Sequence, residues 1–253
     1  MLARTMHAIV YDAVHDEIVV PNAFSYAVLT FRGGADGEEE PIRVIQGPKT
    51  GLLFTDVLDV DPIHDEIFVP MQGDGGEGLV HVFDRKATGN VAPIRILGGP
   101  ASGIGGGGVT VDPEHNLLLA DGRDGLKIFN RTDSGNAKPL RVITGGPKSG
   151  TRGPSGPVMI PGTRMFVATS RMLSGVDKAT VATSNFQSAA EAQSFIGVWS
   201  IDDEGDVAPR WTIAHDILKE ARNLAIDPKN KTVMIADKGL NAIMTFSFPE
   251  AFE

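Results

Sequence analysis

Apolar and polar residues alternate along this chain in short runs, not at helical spacing. In EIFVP at 66–70 and GLVHVF at 78–83 the apolar positions recur every second residue or run together, bounded by Gly, Pro and Asp. That period marks a half-buried or buried β-strand. Within one stretch the pattern predicts a first short strand at Val57, Leu58 and Val60 and a turn from Asp61 to Asp65. A second strand follows from Glu66 to Pro70, a third from Gly78 to Phe83 and a fourth from Pro93 to Leu97, with Gly-rich breaks between them. Runs spaced for a helix are absent except for one candidate stretch from Ile217 to Leu224. The expectation is an all-β chain.

The same strand pattern is written several times. HDEIVVP at 15–21 returns as HDEIFVP at 64–70, and EEPIRVIQGPKTGL at 39–52 returns as VAPIRILGGPASGI at 91–104 and AKPLRVITGGPKSGT at 137–151. Asp12, Asp61, Asp112 and Asp227 occupy equivalent turns, about 50 residues apart with two units in the last step. Five repeats result, at 7–54, 55–106, 107–155, 156–221 and 222–253, the fourth carrying an insertion over 171–192. Four short antiparallel strands in about 50 residues are the content of one propeller blade, each burying its apolar faces against its neighbours. The expectation is one β-propeller domain of five blades, with six as the alternative. The fifth repeat stops after its third strand at Phe248, so Leu2 to Met6 are expected to supply the missing one.

Two stretches carry a resemblance. GVTVDPEHNLLLADGRDGLKIFN at 108–130 and NLAIDPKNKTVMIADKGLNAIMTFS at 223–247 share a V/I-D-P turn, an A-D end to the second strand and a similar third strand. They are similar to NHL-type propeller repeats, and the linking GNVAPIRILGGPASG resembles units of bacterial propellers. The resemblance covers nearly the whole chain and implies the fold more than a function. Lactone hydrolases and lyases with a metal in the central channel occur on related propellers, which keeps an enzyme as the second reading.

Composition narrows the classes. Thirty Gly and sixteen Pro punctuate short strands, and 42% apolar content suffices for a core. No apolar run is long enough to span a membrane as a helix. A net charge of -9 argues against nucleic acid, since no excess of Lys and Arg exists to displace counterions. The absence of cysteine removes disulfides, thiolate nucleophiles and Cys-ligated zinc. The N-terminus MLARTMHAIVYD lacks a secretory pattern, pointing to the cytoplasm, or to the periplasm or exterior if the chain is a processed form.

Candidate chemistry then falls on loops. By alignment His7, Asp56, Gly107, Gly156 and Arg222 enter the innermost strands, placing His7, Asp56 and Arg222 at the channel mouth. Loops between second and third strands add Asp74, Glu77, Asp121, Arg123, Asp124, Lys238 and Asn241 to the same rim. Mixed charge of this kind suits a protein or saccharide surface. His15, His64 and His115 match one another, but matching positions on separate blades lie too far apart for one metal, so they are expected to be turn residues tolerant of positive φ. Asp202, Asp203, Glu204 and Asp206 lack the spacing of a calcium loop and read as a turn. Glycine-rich GGPKSG is no P-loop, because GxxxxGK[ST] is missing. The insertion reads as a polar recognition loop with a short helix at Ser188 to Gln193. The leading expectation is a non-enzymatic propeller binding a protein or carbohydrate partner or serving as a subunit of an assembly, without metal or cofactor.

Overall fold

A computed structural model describes residues 8–73, 75–173, 192–213 and 217–252. The expected strand at Leu2 to Met6, the candidates His7 and Asp74, and the first part of the helix expected at Ser188 to Gln193 lie outside these residues. The chain is all-β, and its five sheets are the blades of a β-propeller. In the first sheet β1 (Val10–Asp12), β2 (Glu17–Asn22), β3 (Ala27–Arg32) and β4 (Arg43–Gln46) follow in order. The second holds β5 (Asp59–Asp61), β6 (Glu66–Gln72), β7 (Gly78–Asp84) and β8 (Arg95–Gly98). The third holds β9 (Ile104–Asp112), β10 (Leu117–Gly122), β11 (Gly125–Asn130) and β12 (Arg141–Thr144). The fourth holds β13 (Ser155–Met159), β14 (Met165–Leu173), β15 (Ala192–Ser200) and β16 (Trp211–Ile213). The fifth has three described strands, β17 (Ala221–Asp227), β18 (Thr232–Asp237) and β19 (Ala242–Ser247).

Two sequence expectations change here. Most of the stretch from Ile217 to Leu224 is not helical, because β17 begins at Ala221 and pairs antiparallel with β18. The insertion is shorter than expected, since Arg171 to Leu173 and Ala192 to Gln193 continue the ladder of β14 and β15, ending at Leu173↔Ala192. Backbone pairing there outweighs the polar, helix-permissive composition that suggested a loop and a helix.

The chain divides into two compact units, Met1–Gly122 with Phe129–Pro139, and Arg123–Ile128 with Leu140–Glu253. Period-two patterning builds the core of the first. Along β6, Ile67, Val69 and Met71 join Val19, Val28 and Ile45 of the first sheet in one cluster. The intervening Phe68 points the other way, into a cluster with Val109, Val111 and Leu118 of the third. Both faces of this strand are therefore covered, which is why it reads as a continuous apolar run. In the second unit Val167, Ile196 and Val198 pack with Val233 and Ile235, and Phe166 stacks on the buried Trp199 at 6.2 Å.

Among the described residues the second, third and fourth repeats each clasp the one before. Gly89 donates to the Val44 carbonyl at 2.6 Å, Gln46 donates back to Gly89 at 3.1 Å, and the Asn90 Oδ1 accepts the Lys49 N–H at 2.7 Å. Gly135 and Asn136 repeat this on Ile96, Gly98 and Ala101. In the second unit Gly205 clasps Val142 and Thr144, and Asp206 accepts the N–H groups of Lys148 and Ser149. The recurring G-N or G-D is thus a connector: its side chain satisfies backbone donors left over by the glycine-rich crossing.

Candidate functional site

The histidines settle first. Asp12, Asp61 and Asp112 each cap their own turn, accepting the His15, His64 and His115 N–H groups at 2.9–3.1 Å. The second carboxylate oxygen holds the imidazole Nδ1 at 2.8 Å in all three. Asn230 does the same with Asp227 through Nδ2 at 2.6 Å. These are turn residues, with one correction. Positive φ falls one position later, at Asp16, Asp65, Asn116 and Lys231, the residue that turns the chain into the second strand of its blade.

The acidic run is likewise taken up by turns and pairs. Asp202 binds Arg164 bidentately at 2.6 Å, Asp203 binds Arg210, and Asp206 forms the clasp. Among the described residues no group of three or more His, Asp or Glu is arranged to hold a metal ion.

Five of the expected rim residues belong to the first unit. His7 and Asp74 are outside the described residues. Asp56 is half-buried ahead of β5, with its Oδ1 closed from solvent. Glu77 is exposed and closes the β6–β7 turn, its carbonyl accepting the Gly73 N–H at 2.8 Å. The Asp121 carboxylate accepts the Gly108 N–H at 2.9 Å, tying the second strand of its blade to the first. In the second unit Arg123 is exposed, and Asp124 pairs with the buried Lys127 Nζ. Arg222, Lys238 and Asn241 do come together: the Glu220 carboxylate pairs with the Arg222 guanidinium, the Glu220 carbonyl accepts the Lys238 N–H at 3.0 Å, and the Asn241 N–H reaches the Lys238 carbonyl at 3.3 Å. Asp237, equivalent to Asp121, is buried beneath them and accepts the N–H groups of Lys219, Glu220 and Leu240.

Two features escaped the sequence reading. One is an aromatic ledge on the first unit. Tyr26 and Phe54 are 42% and 52% exposed and meet edge to face, ring centres 5.7 Å apart. Tyr26, Ser25, Gln46, Pro48 and Leu52 line an open cleft of about 450 Å³. Gln46 is fixed there by donating its Nε2 to the Ser25 carbonyl at 2.8 Å. Tyr26 sits at φ 52, where bulky side chains are rare. The equivalent turn of the fifth blade, also closing on an Ala partner, puts Asn241 at φ 52, a residue suited to that conformation. Phe54 stands where the next two repeats have Gly106 and Gly153. Disagreement between copies is the sequence signal that could have found both. The other feature is a gathering of Arg152, Arg171 and Glu220 beside Arg222; Arg171 occupies a strand end that is Gln72 in the second blade.

No protein-family model matches the chain, and neither does any curated protein sequence. Solved structures do. Hydrazine synthase of Kuenenia stuttgartiensis superposes with a TM-score of 0.57 at 12% identity, over 90% of this chain and 54% of its own. A candidate 6-phosphogluconolactonase from Bacteroides uniformis superposes with a TM-score of 0.57 at 16% identity, over 94% of this chain and 65% of its own. The chain thus spans between half and two thirds of the length of these structures, and at such identity the likeness is one of fold.

Proposed function

We propose that the chain is an NHL-like, non-catalytic propeller that binds carbohydrate, with Tyr26 and Phe54 as its sugar-stacking ledge. The carrying observation is Tyr26 itself. The fifth blade fills the matching turn with Asn, which adopts this conformation more readily, whereas the first blade holds an exposed tyrosine in a left-handed conformation that costs about 1–3 kcal/mol. Core packing does not require this, because the ring is 42% exposed. A solvent-facing aromatic pair beside a cleft with an amide and a hydroxyl is the arrangement that takes an amphipathic sugar ring, whose C–H face lies on the aromatic and whose hydroxyls reach the polar groups. The turn is also locked, with the Asn22 Oδ1 accepting the Phe24 and Ser25 N–H groups at 3.2 Å. Little order is left to be lost on binding.

The 6-phosphogluconolactonase-type neighbour supplies the competing reading of a hydrolase on this fold. One experiment separates the two. The purified chain is screened on a glycan array and for hydrolysis of sugar lactones, beside Tyr26→Asn. Binding to a defined glycan that Tyr26→Asn lowers more than tenfold, while that variant melts higher because the strain is relieved, is the expected result. Turnover of a lactone, or glycan binding indifferent to Tyr26→Asn, would overturn the proposal.

A further inference from the structure

Resting on the reading of Tyr26 and Phe54 as a sugar ledge, we propose that the ligand is a neutral, extended oligosaccharide that runs from the ledge onto Phe24, a second platform on the same turn. Asn22 and Ala27 close a four-residue turn between β2 and β3. Ala23 is buried at its base, and the Asn22 Oδ1 accepts the N–H groups of both Phe24 and Ser25 at 3.2 Å. Phe24 is turned outward and is 60% exposed, and among the described residues its ring meets no other aromatic. It adjoins Ser25, which lines the cleft, and its Cα lies within about 7 Å of the Tyr26 Cα, the reach of two residues. The fifth blade closes the equivalent turn between Asp237 and Ala242 and has Gly239 in this place. Two of the four turn positions are therefore exposed aromatics in the first blade where the fifth has Gly and Asn. Core packing asks for neither.

The cleft sets the charge of the ligand. Its lining residues, Ser25, Tyr26, Gln46, Gly47, Pro48 and Leu52, carry no formal charge. A carboxylated sugar would give up water there without gaining a lining cation, a cost that a neutral one does not meet. Gln46 supplies the polar contact. One of its amide N–H groups goes to the Ser25 carbonyl at 2.8 Å, which leaves Oε1 and the second N–H for a ligand. An acceptor and a donor held on one amide plane match two neighbouring hydroxyls of a pyranose. The equivalent positions of the next two repeats are Gly98 and Thr144, neither of which carries an amide. A β-1,4-linked chain keeps its substituents equatorial, so its rings present flat C–H faces in an extended file. One ring stacks on the Tyr26–Phe54 pair and a following one on Phe24. Once the first ring is seated the second contact is intramolecular, so affinity grows with chain length.

Isothermal titration with β-1,4-linked gluco-, xylo- and manno-oligosaccharides, from disaccharide to hexasaccharide, beside β-1,4-linked oligomannuronates of the same lengths, tests the site. Affinity for at least one neutral series is expected to rise about tenfold or more from the disaccharide to the hexasaccharide. Phe24→Ala, a change at an exposed ring, keeps the disaccharide affinity and loses that rise, a selective loss that misfolding cannot produce. Gln46→Leu weakens every length about threefold to tenfold. The proposal is overturned by binding that is independent of length, by a rise with length that Phe24→Ala leaves intact, by unaltered affinity in Gln46→Leu, or by oligomannuronates binding as tightly as the neutral chains. Binding that still falls in Tyr26→Asn leaves the ledge itself standing in each of these cases. If no neutral series binds, the proposal is overturned, and the ledge falls with it only where the glycan array is blank as well.

Discussion

Glu66 and Asp202 both hold arginines, one in each unit, under opposite conditions of solvent. The side chains of Glu66 and Arg131 are 11% and 8% exposed, and Arg95 closes the group from its own blade with two hydrogen bonds of 2.6 Å. Asp202 and Arg164 make an equally good bidentate pair, but at 46% and 49% exposure. Geometry is alike and the stake is not. A buried carboxylate between two guanidinia cannot lose a partner without stranding a charge, whereas a surface pair falls back on water. Glu17 repeats the buried arrangement with Arg43 and Arg85, so the first two blades are each joined to the next by an arginine that reaches back. At the third blade the glutamate becomes Leu117 and the device stops.

The largest expected effect breaks the buried side. Glu66→Leu takes the bidentate carboxylate from Arg95 and leaves the buried Arg131 with Asp61, at 3.5 Å, as its only carboxylate, and is expected to cost about 3–5 kcal/mol in urea unfolding. Adding Arg95→Leu and Arg131→Leu to it should restore most of that loss; a triple variant as unstable as the single one would show that the ion group specifies the blade interface instead.

Acid sharpens the contrast. Burial pushes the Glu66 carboxyl up, but the hydrogen bonds and charges of Arg95 and Arg131 outweigh it and hold the group below its ordinary range. Its stabilisation is therefore present at neutral pH and lost as the pH falls through that lowered value. Asp59 runs the other way. Burial raises it from 3.8 to about 6, against the Val111 and Val60 N–H groups that favour its charge. Stability from Asp59 is complete below about pH 4 and lost as the pH rises to about 6. Carboxyl NMR should show Asp59 titrating near 6, and Asp59→Asn should remove the decline in stability over that window.

Smaller effects follow on the neutral clasp and the exposed pair. Asn136→Ala removes an exposed hydrogen bond whose Ala101 N–H can turn to water, and should cost about 0.5–1 kcal/mol by thermal unfolding. Arg164→Gln should change stability by no more than about 0.5 kcal/mol, and a measured loss above 2 kcal/mol would erase the distinction between the units.

Much of the fold was legible because a blade is local. The strands expected from Glu66 to Pro70 and Gly78 to Phe83 match β6 and β7 closely, since a two-residue period and flanking glycines act within a few residues of each other. The His turns and the acidic turn were legible for the same reason. The fifth strand began later than Val57, because its first partner on β6 is Phe68 opposite Asp59, a matter of register between chain segments. The candidate site was legible only in part. Arg222 and Lys238 proved to share Glu220, and Asn241 reaches Lys238, but Arg171, which also lies near Glu220, comes from another segment, and its approach depends on which strand ends become neighbours.

By itself, then, the sequence determined the repeat, the strand content and the turn chemistry, all set by contacts between residues close in the chain. Tertiary structure decided what the copies were for: that Glu17 and Glu66 of the HDEI turns are receptors for arginines from the next blade, that Asn90, Asn136 and Asp206 are clasps, and that one tyrosine is held in a strained turn facing solvent. The reason is physical. Burial, charge balance and strain depend on which distant groups share a small volume, and no local pattern records that.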